Sequence, residues 1–208
     1  MTIRILIADD HKIVRSGICT ELSSYTDFEI VGEAKDGDEA LSLTFSMEPD
    51  VLLLDITMPG MKVMEVMRQI NQKKLATKIL ILSAFCDTGT VLGALKAGAQ
   101  GYLLKDEAPY IIAEAARAVA AGNAWFSPAV SKIIAERAKG TFSSPDGALS
   151  DREWQILKYL EDGTKNNNIA DELEISTRTV EFHITNIFQK LGVNSRTKAA
   201  IWARENRK

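Results

Sequence analysis

The fold is decided near the amino terminus by Ile3-Arg-Ile-Leu-Ile-Ala-Asp-Asp10, an apolar run that ends in two carboxylates. A near-continuous apolar run of this length is typical of a strand that is buried on both faces of a parallel sheet. Similar runs follow at Phe28-Glu-Ile-Val31, Val51-Leu-Leu-Leu54, Ile79-Leu-Ile-Leu82 and Gly101-Tyr-Leu-Leu104. We therefore expect five parallel strands.

Each of these strands is followed by a stretch whose apolar residues recur at helical spacing. The predicted helices are His11–Tyr25, Asp38–Met47, Val63–Gln72, Thr90–Ala97 and Tyr110–Ala121. Strands that alternate with helices predict an α/β domain, in which helices cover both faces of a five-stranded, doubly wound parallel sheet. In the strand order 2-1-3-4-5 the first and third strands are neighbours, and ligands of such sheets bind at this switch point.

Five polar residues follow the predicted strands at their carboxyl ends. They are Asp9, Asp10, Asp55, Ser83 and Lys105. Three carboxylates held close together repel one another and need a cation, and Mg²⁺ prefers carboxylates combined with water and phosphate oxygens. The lysine can pair with a carboxylate or a phosphoryl group, and the serine hydroxyl can donate to a phosphoryl oxygen. The sequence thus predicts a magnesium and phosphoryl site.

Each of these residues also has an ordinary structural interpretation. The two aspartates after the first strand are suitable helix N-caps, and Asp55 is suitable for a turn. Ser83 is suitable as a cap of the next helix, and Lys105 as a solvated surface residue. Capping does not explain why all five residues follow strands, so we favour the functional interpretation. We interpret His11 as a residue of the first helical turn and not as a ligand.

These segments resemble the receiver domain of bacterial response regulators. The similarity rests on Ile5-Leu-Ile-Ala-Asp-Asp-His11, Leu53-Leu-Asp-Ile-Thr-Met-Pro-Gly60, Leu82-Ser-Ala84 and Lys96-Ala-Gly-Ala-Gln-Gly-Tyr-Leu-Leu-Lys105. It spans about the first 125 residues and implies the flavodoxin-like strand order given above.

The resemblance implies that Asp55 is the phospho-acceptor. It also implies that Asp10 and Asp55 bind Mg²⁺ directly, together with the backbone carbonyl of Thr57, and that Asp9 acts through water. The phosphoryl donor it implies is a phosphohistidine on a sensor histidine kinase.

The resemblance assigns the phosphoryl contacts to Ser83 and Lys105. Tyr102 matches the switch aromatic of the family, which turns inward when the serine moves toward the phosphate. The alternative for Tyr102 is a half-buried aromatic residue of a strand.

The segment Leu149–Lys208 predicts four short helices. Ser150 and Glu153 form a capping-box signal for the first of them. The third is the longest, follows the tight turn Ile175–Thr179 and ends at Gly192. Two helices joined by a short turn, the second of them long, are typical of a helix-turn-helix domain.

This segment resembles the LuxR-type DNA-binding domain. The similarity rests on Leu149-Ser-Asp-Arg-Glu153, Asn168-Ile-Ala170, Ile175-Ser-Thr-Arg-Thr-Val180, His183, Asn186-Ile187, Lys190-Leu191 and Ser195-Arg-Thr197. It implies that the third helix enters the major groove of double-stranded DNA, with most contacts made to phosphates. The candidate DNA contacts are Arg178, Thr179, Glu181, Phe182, His183, Asn186, Lys190, Arg196 and Lys198.

The sequence departs from the family pattern at two places. Glu181 stands where the family usually has lysine, and Asn166-Asn-Asn168 stands where it usually has Asn-Lys-Glu. Glu181 and the balanced charge of residues 141–208, with 10 basic and 10 acidic residues, leave open an alternative function, a signalling adaptor whose C-terminal domain binds protein instead of DNA. A phosphatase-like enzyme with Asp55 as nucleophile is a third class, but no substrate pocket or second acid/base group is recognisable. We therefore expect no enzyme.

Charge is divided unevenly along the 208 residues, whose formal net charge is −3. Residues 1–125 hold 12 basic and 17 acidic residues, whereas residues 176–208 hold 7 and 2. This asymmetry suggests two different functions. We expect a receiver domain at 1–125, a linker helix and flexible linker at 126–147, and the helix-turn-helix domain at 148–208.

Composition restricts the cellular compartment that we expect for the chain. Its apolar runs are far shorter than a membrane-spanning helix, and Met1–Asp10 has no leader pattern. Cys19 and Cys86 are too few for a disulfide framework and indicate a reducing compartment. The full prediction is a cytoplasmic, DNA-binding response regulator of a two-component system, without membrane contact. It becomes a homodimer on phosphorylation and binds paired promoter half-sites.

Overall fold

A computed structural model of the chain describes residues 2–138, 149–173, 175 and 177–206. The chain divides into two compact units, Met1–Ala138 and Lys139–Lys208. The predicted flexible linker, residues 139–147, lies outside the described residues. Among the helices that the structure describes, none has the length and apolar content required to cross a bilayer.

The first unit alternates strands and helices as the sequence predicts. The described strands are β1 (Ile3–Ala8), β2 (Phe28–Ala34), β3 (Val51–Asp55), β4 (Lys78–Ser83), β5 (Gly101–Leu104) and β6 (Trp125–Phe126). The described helices are α1 (Lys12–Ser23), α2 (Gly37–Met47), α3 (Val63–Gln72), α4 (Thr88–Lys96), α5 (Ala108–Ala120) and α6 (Pro128–Ala138). All strand pairs are parallel, in the order β2-β1-β3-β4-β5-β6. The doubly wound α/β fold and the order of the first five strands are confirmed.

The sheet contains one strand more than the five that the sequence predicts. In β6, Trp125 pairs with Gly101 and Phe126 pairs with Tyr102. A Cβ atom at position 101 would lie 2.7 Å from Leu80 Cδ1 and 3.0 Å from the Trp125 carbonyl oxygen, so β6 approaches closely only because this residue is glycine. The helix that we assigned to the linker, α6, belongs to the first unit and packs against α4.

The sheet of the first unit is buried on both of its faces. On one face, strand residues such as Ile5, Leu53 and Leu80 form a core with side chains of α1 and α5. The residues that alternate with them, such as Leu6 and Leu52, are equally buried, so helices cover the other face as well. Burying a leucine or isoleucine contributes about 1.5–3 kcal/mol, and this apolar burial holds the strand ends in place.

The two cysteines take part in packing. Cys19 and Cys86 are free and half-buried. Burial raises the pKa of both thiols, with smaller contributions from nearby carboxylates, so the protonated form is favoured.

The second unit contains the four predicted helices. They are α7 (Asp151–Glu161), α8 (Asn166–Glu172), α9 (Thr177–Leu191) and α10 (Arg196–Glu205). Helix α9 begins at Thr177, inside the predicted turn Ile175–Thr179, so the turn is shorter than expected. The sequence offers Ser176 or Thr177 as the cap of this helix; Ser176 lies outside the described residues, and Thr177 is the first residue of α9. A core that includes Ile156, Ile169 and Ile187 joins the helices.

The predicted capping box of α7 is present and also anchors a second helix. The Ser150 hydroxyl accepts from the Glu153 backbone N–H at 3.3 Å, and Glu153 Oε2 accepts from the Ser150 N–H at 2.7 Å. Glu153 Oε2 also lies 2.6 Å from Lys190 Nζ of α9. Because the Glu153 side chain is only 2% exposed, this ion pair holds α9 against the start of α7.

Replacing this glutamate tests its structural role. Glu153→Ala removes the return bond of the capping box and the partner of Lys190, so we expect the second unit to lose about 2 kcal/mol of stability. Urea unfolding followed by the fluorescence of Trp154 and Trp202, in a Trp125→Phe background, measures this loss. The exposed-site control Glu205→Ala should change stability by less than about 0.5 kcal/mol. Equal losses in the two variants would contradict the role of Glu153.

Candidate functional site

The three predicted carboxylates meet at the carboxyl ends of β1 and β3. These strands are neighbours, with Ala8 paired to Leu54, so the residues that follow them lie side by side. Asp9 and Asp55 are fully buried, and Asp10 is half-buried. Two of the three carboxylates therefore have no contact with water.

Lys105, which follows β5, reaches across the sheet to this cluster. Its Nζ lies 2.6 Å from Asp9 Oδ2 and 3.0 Å from Asp55 Oδ2. With 18% of its side chain exposed, Lys105 is not a solvated surface lysine. Burial by itself lowers the lysine pKa, but the charges and hydrogen bonds of Asp55 and Asp9 outweigh burial and raise the pKa above its ordinary value. Lys105 therefore carries its positive charge into the pocket.

Burial, a neighbouring ammonium group and hydrogen-bond donors together determine the ionisation of the Asp55 carboxyl group. Burial raises the pKa of its carboxyl group, whereas the neighbouring Lys105 ammonium acts in the opposite direction. The Thr57 backbone N–H donates to Asp55 Oδ1 at 3.3 Å, and the Thr57 hydroxyl lies 3.2 Å from each carboxylate oxygen. These donors fix the orientation of the carboxylate and favour its ionised form.

The cluster has the composition of a cation site. Asp9, Asp10 and Asp55 each offer a carboxylate oxygen, and these oxygens lie within 4.8 Å of one another and of a His11 ring nitrogen. Hard oxygen donors of this kind fit Mg²⁺. His11, which we did not expect to be a ligand, takes the N-cap position of α1 and turns its ring toward the aspartates.

Ser83 and Tyr102 are connected through the backbone of Phe85. The Ser83 hydroxyl accepts from the Phe85 N–H at 3.0 Å, and the Tyr102 hydroxyl donates to the Phe85 carbonyl oxygen at 2.8 Å. The N-cap of α4 is Asp87, so Ser83 does not cap that helix. Tyr102 is fully buried, not half-buried, and burial raises the pKa of its hydroxyl well above the ordinary range.

Ser127 is a residue of this region that sequence reasoning missed. It is fully buried between β6 and α6, and its hydroxyl accepts from the Leu104 N–H at 3.0 Å. The same hydroxyl donates to a carboxylate oxygen of Glu107, two residues after Lys105. Ser127 thus joins the loop that carries the lysine to the start of α6. A serine before a proline signals a helix start, but nothing in the sequence indicates its long-range partners.

Two of the candidate DNA contacts are buried inside the second unit. Thr179 is 2% exposed and His183 is 1% exposed. Both lie in α9 on the flank of the apolar stripe that contains Val180 and Ile187, where neighbouring helices cover them. Side chains in this position support the helix and do not reach a DNA groove.

Two further candidates are engaged in internal contacts. Lys190 pairs with Glu153, as described above. The Arg196 guanidinium donates to Asn166 Oδ1 at 2.8 Å and to the Thr164 carbonyl oxygen, which ties α10 to the start of α8. These internal contacts give Lys190 and Arg196 a structural role that requires no contact with DNA.

The remaining candidates lie on the outer surface of the second unit. Glu181 and Lys198 are exposed, whereas Phe182 and Asn186 are partly exposed. The Arg178 side chain lies outside the described part of the structure. Thr185 and Gln189 are exposed on the same side of α9 as Glu181, at helical spacing from it, and this spacing could have identified them from the sequence.

Comparison with known proteins gives two matches along the chain. Residues 5–117 match the response regulator receiver domain, and residues 147–203 match the bacterial regulatory proteins of the luxR family. The transcriptional regulatory protein LiaR of Bacillus subtilis (strain 168) is 39% identical over 98% of this chain and 98% of its own. The nitrate/nitrite response regulator protein NarL of Escherichia coli (strain K12) is 35% identical over 98% of this chain and 95% of its own.

A solved structure of a response regulator is also similar to this chain over its whole length. The crystal structure of response regulator ChrA in a heme-sensing two component system aligns with a TM-score of 0.55 and 38% identity. The alignment covers 99% of this chain and 98% of ChrA.

The contact of Lys105 with two buried carboxylates predicts a specific response to a divalent cation. Lys105→Met leaves Asp9 and Asp55 without this partner, so we expect a loss on the order of 3 kcal/mol in the absence of Mg²⁺. Added Mg²⁺ should then stabilise this variant more than the unmodified chain, because it restores positive charge to the pocket. Thermal unfolding with and without Mg²⁺ measures both effects.

The exposed α6 residue Lys132 provides the matched control. Lys132→Met should leave both the stability and the Mg²⁺ response unchanged. If Lys105→Met shows the same Mg²⁺ response as this control, the electrostatic role of Lys105 is wrong.

Proposed function

The chain belongs to the bacterial response regulators that join a receiver domain to a LuxR-family DNA-binding domain, and we propose that it accepts a phosphoryl group on Asp55. It is a DNA-binding transcriptional regulator of a two-component system. The observation that carries the proposal for Asp55 is its buried contact with Lys105 beside Asp9, at the carboxyl ends of neighbouring strands. The division into a receiver at 1–125, a linker at 126–147 and a DNA-binding domain at 148–208 is part of this proposal, with the linker helix α6 packed against α4 of the receiver.

In the proposed transfer, Asp55 is the nucleophile. One of its carboxylate oxygens forms a bond to phosphorus as the phosphorus–nitrogen bond of a phosphohistidine on a sensor histidine kinase breaks. The histidine nitrogen keeps the electron pair of the broken bond. Lys105 Nζ, already 3.0 Å from Asp55 Oδ2, neutralises negative charge on the phosphoryl oxygens.

The acidic cluster supplies the cation site for this reaction. Asp9, Asp10 and Asp55, with the Thr57 carbonyl oxygen, are the groups that would hold Mg²⁺. Bound Mg²⁺ would stabilise the negative charge that develops on the phosphoryl oxygens. The burial of Asp9 and Asp55 excludes water from the carboxylates and strengthens their interactions with cations.

Phosphorylation changes the partners of Lys105 and Ser83, and both residues are connected to output elements. A phosphoryl group adds negative charge and acceptor oxygens beside them. When the Ser83 hydroxyl turns to donate to one of these oxygens, its contact with Phe85 changes, and Phe85 carries the contact to Tyr102. Tyr102 is on β5, whose neighbour β6 leads into α6. The surface around α4, β5 and α6 is therefore the part of the receiver that responds.

The second unit completes the proposal. We assign the DNA contacts to the outer side of α9 and to Lys198, with Glu181, Phe182 and Asn186 among the residues that face the groove. Phosphorylation favours a homodimer, and two copies of the helix-turn-helix domain bind paired half-sites. The protein works in the cytoplasm and catalyses no reaction other than the transfer to its own aspartate.

The decisive experiment compares the full chain with Asp55→Asn. After incubation with acetyl phosphate and Mg²⁺, the unmodified chain should gain one phosphoryl group by intact mass, in a linkage cleaved by hydroxylamine. Asp55→Asn should gain none, because an amide is not a nucleophile of this kind. Asp50→Asn, at the other end of β3, should still be labelled.

DNA binding is measured on the same samples by fluorescence anisotropy with a duplex at low salt. Phosphorylated chain should bind more tightly than unphosphorylated chain, and Asp55→Asn should show no difference between the two treatments. Labelling that persists in Asp55→Asn would contradict the assigned acceptor. Absence of DNA binding in both states would favour the adaptor, whose C-terminal domain binds protein.

The exposed glutamate of α9 provides a separate test of the DNA surface. Glu181→Lys replaces a charge that repels phosphates with one that attracts them, so binding to a non-specific duplex should tighten. The slope of log K against log salt should steepen by roughly one. Glu205→Lys makes the same change of charge at an exposed site of α10. If both variants tighten binding equally, the effect is one of net charge and α9 is not the contact surface.

A further inference from the structure

The start of α6 is bound to the turn that carries Lys105 through one fully buried side chain, that of Ser127. The Ser127 hydroxyl accepts from the Leu104 N–H at 3.0 Å and donates to a carboxylate oxygen of Glu107. Leu104 directly precedes the lysine, and Glu107 follows the lysine by two residues. One hydroxyl therefore holds this turn on both sides of Lys105.

We propose that the Ser127 hydroxyl and the Glu107 carboxylate form a latch that positions Lys105 and loosens the start of α6 when Lys105 takes a phosphoryl group as its partner. Both are positioning residues, because they act through the lysine turn and not on the phosphoryl group. This inference rests on the proposed function, in which Lys105 is a phosphoryl contact. It goes further by assigning the step from the pocket to α6 to two side chains.

The backbone of Ser127 ties the latch to β5 and to α6. Its N–H donates to the Tyr102 carbonyl oxygen at 3.0 Å, and its carbonyl oxygen accepts from the Ser131 N–H at 2.9 Å. Strand β6 has only two residues, so the hydroxyl that accepts from Leu104 continues the ladder of β5 one step beyond it. A displacement of the lysine turn therefore reaches the first turn of α6 through direct hydrogen bonds.

The contacts of Lys105 and Ser127 correspond to a closed latch. Lys105 Nζ lies 2.6 Å from Asp9 Oδ2 and 3.0 Å from Asp55 Oδ2, and the Ser127 hydroxyl makes both of its bonds to the turn. A phosphoryl group on Asp55 would draw the ammonium group away from Asp9 toward its own oxygens. A shift of the turn can only weaken bonds that are already formed, so we expect phosphorylation to loosen the start of α6.

Helix capping does not explain where the two latch side chains point. A serine directly before a proline is suited to cap the helix that begins there. The Ser127 hydroxyl instead bonds to Leu104 and Glu107, which are 23 and 20 residues away in the sequence. Glu107 stands at the N-cap position of α5, but its side chain makes no capping bond. Both side chains are thus used to join distant segments.

Helix α6 is also connected to the other phosphoryl contact, Ser83. It packs against α4, which begins after the loop in which the Phe85 backbone bonds to the hydroxyls of Ser83 and Tyr102. The two residues assigned to the phosphoryl group, Ser83 and Lys105, therefore reach the same helix along separate routes. This convergence makes α6 the element in which the response is best measured.

The test measures amide hydrogen exchange at the start of α6 in the full chain, with and without beryllofluoride and Mg²⁺. Beryllofluoride is a stable analogue of a phosphoryl group on aspartate, and fluorine-19 NMR reports its binding. In the unmodified chain, exchange in peptides that cover residues 127–138 should accelerate on the order of fivefold at full occupancy, as expected for the loss of about one hydrogen bond. Exchange that is unchanged or slower would overturn the proposal.

Three variants determine whether the latch carries this response. Glu107→Ala removes the acceptor of the Ser127 hydroxyl, so α6 should exchange faster before the ligand is added and change by less than about twofold afterwards. Glu107→Gln keeps an oxygen acceptor and should keep the response. Ser131→Ala removes an exposed hydroxyl of the same helix and is the matched control, which should respond as the unmodified chain does.

The variants can contradict the latch in three ways. A response of normal size in Glu107→Ala would show that the carboxylate is not needed. Loss of the response in Glu107→Gln would show that the hydrogen bond is not what carries it. Loss of the response in Ser131→Ala would show that any change in α6 has the same effect. Each of these results would overturn the proposal.

These outcomes are separate from those that test the proposed function. If beryllofluoride gives a bound fluorine signal and Asp55 is phosphorylated while exchange in α6 stays unchanged, the latch fails and the proposed function remains. If the unmodified chain binds no beryllofluoride and Asp55 takes no phosphoryl group, the proposed function fails first.

Discussion

Two carboxylates, Asp9 and Asp55, lie side by side without exposure to water, and one ammonium group, that of Lys105, contacts both. Burying charges of the same sign costs several kcal/mol per ion unless opposite charge accompanies them. The parallel sheet makes the arrangement possible, because its apolar strands hold their polar ends at one edge. The first unit is thus built around a balance of buried charge, in which one ammonium group offsets two carboxylates.

Hydrogen bonds between neighbouring residues explain how a change of charge in the pocket would affect residues outside it. Ser83, Phe85 and Tyr102 are joined by hydrogen bonds, and Ser127 joins the loop after Lys105 to the start of α6. The side chains of Ser83, Tyr102 and Ser127 are buried, where packing leaves few alternative positions. A change of partner at one of them therefore requires a change at the next. In the second unit, polar residues are used in the same way, since the ion pair of Glu153 fixes α9.

The sequence predicts well the strands and the meeting of the three carboxylates, because both follow from apolar runs and from the residues that end them. It does not predict β6, since two residues, Trp125 and Phe126, are too short for a periodic pattern. The buried positions of Thr179 and His183 were also missed. Helical spacing places them beside the apolar stripe of α9, and only the packing of other helices decides whether that flank is covered. The approach of His11 to the aspartates depends on backbone direction at the start of α1.

The edges of the sheet have a consequence for how the protein behaves at high concentration. An unpaired strand edge is a template on which another chain can add a strand and begin aggregation. One edge is β6, which has only two residues. The other is β2, which carries the exposed Glu29 and Glu33 and shifts its register by one residue near Val31. Short length, charge and irregular register each discourage strand addition, so the sheet resists fibrous assembly.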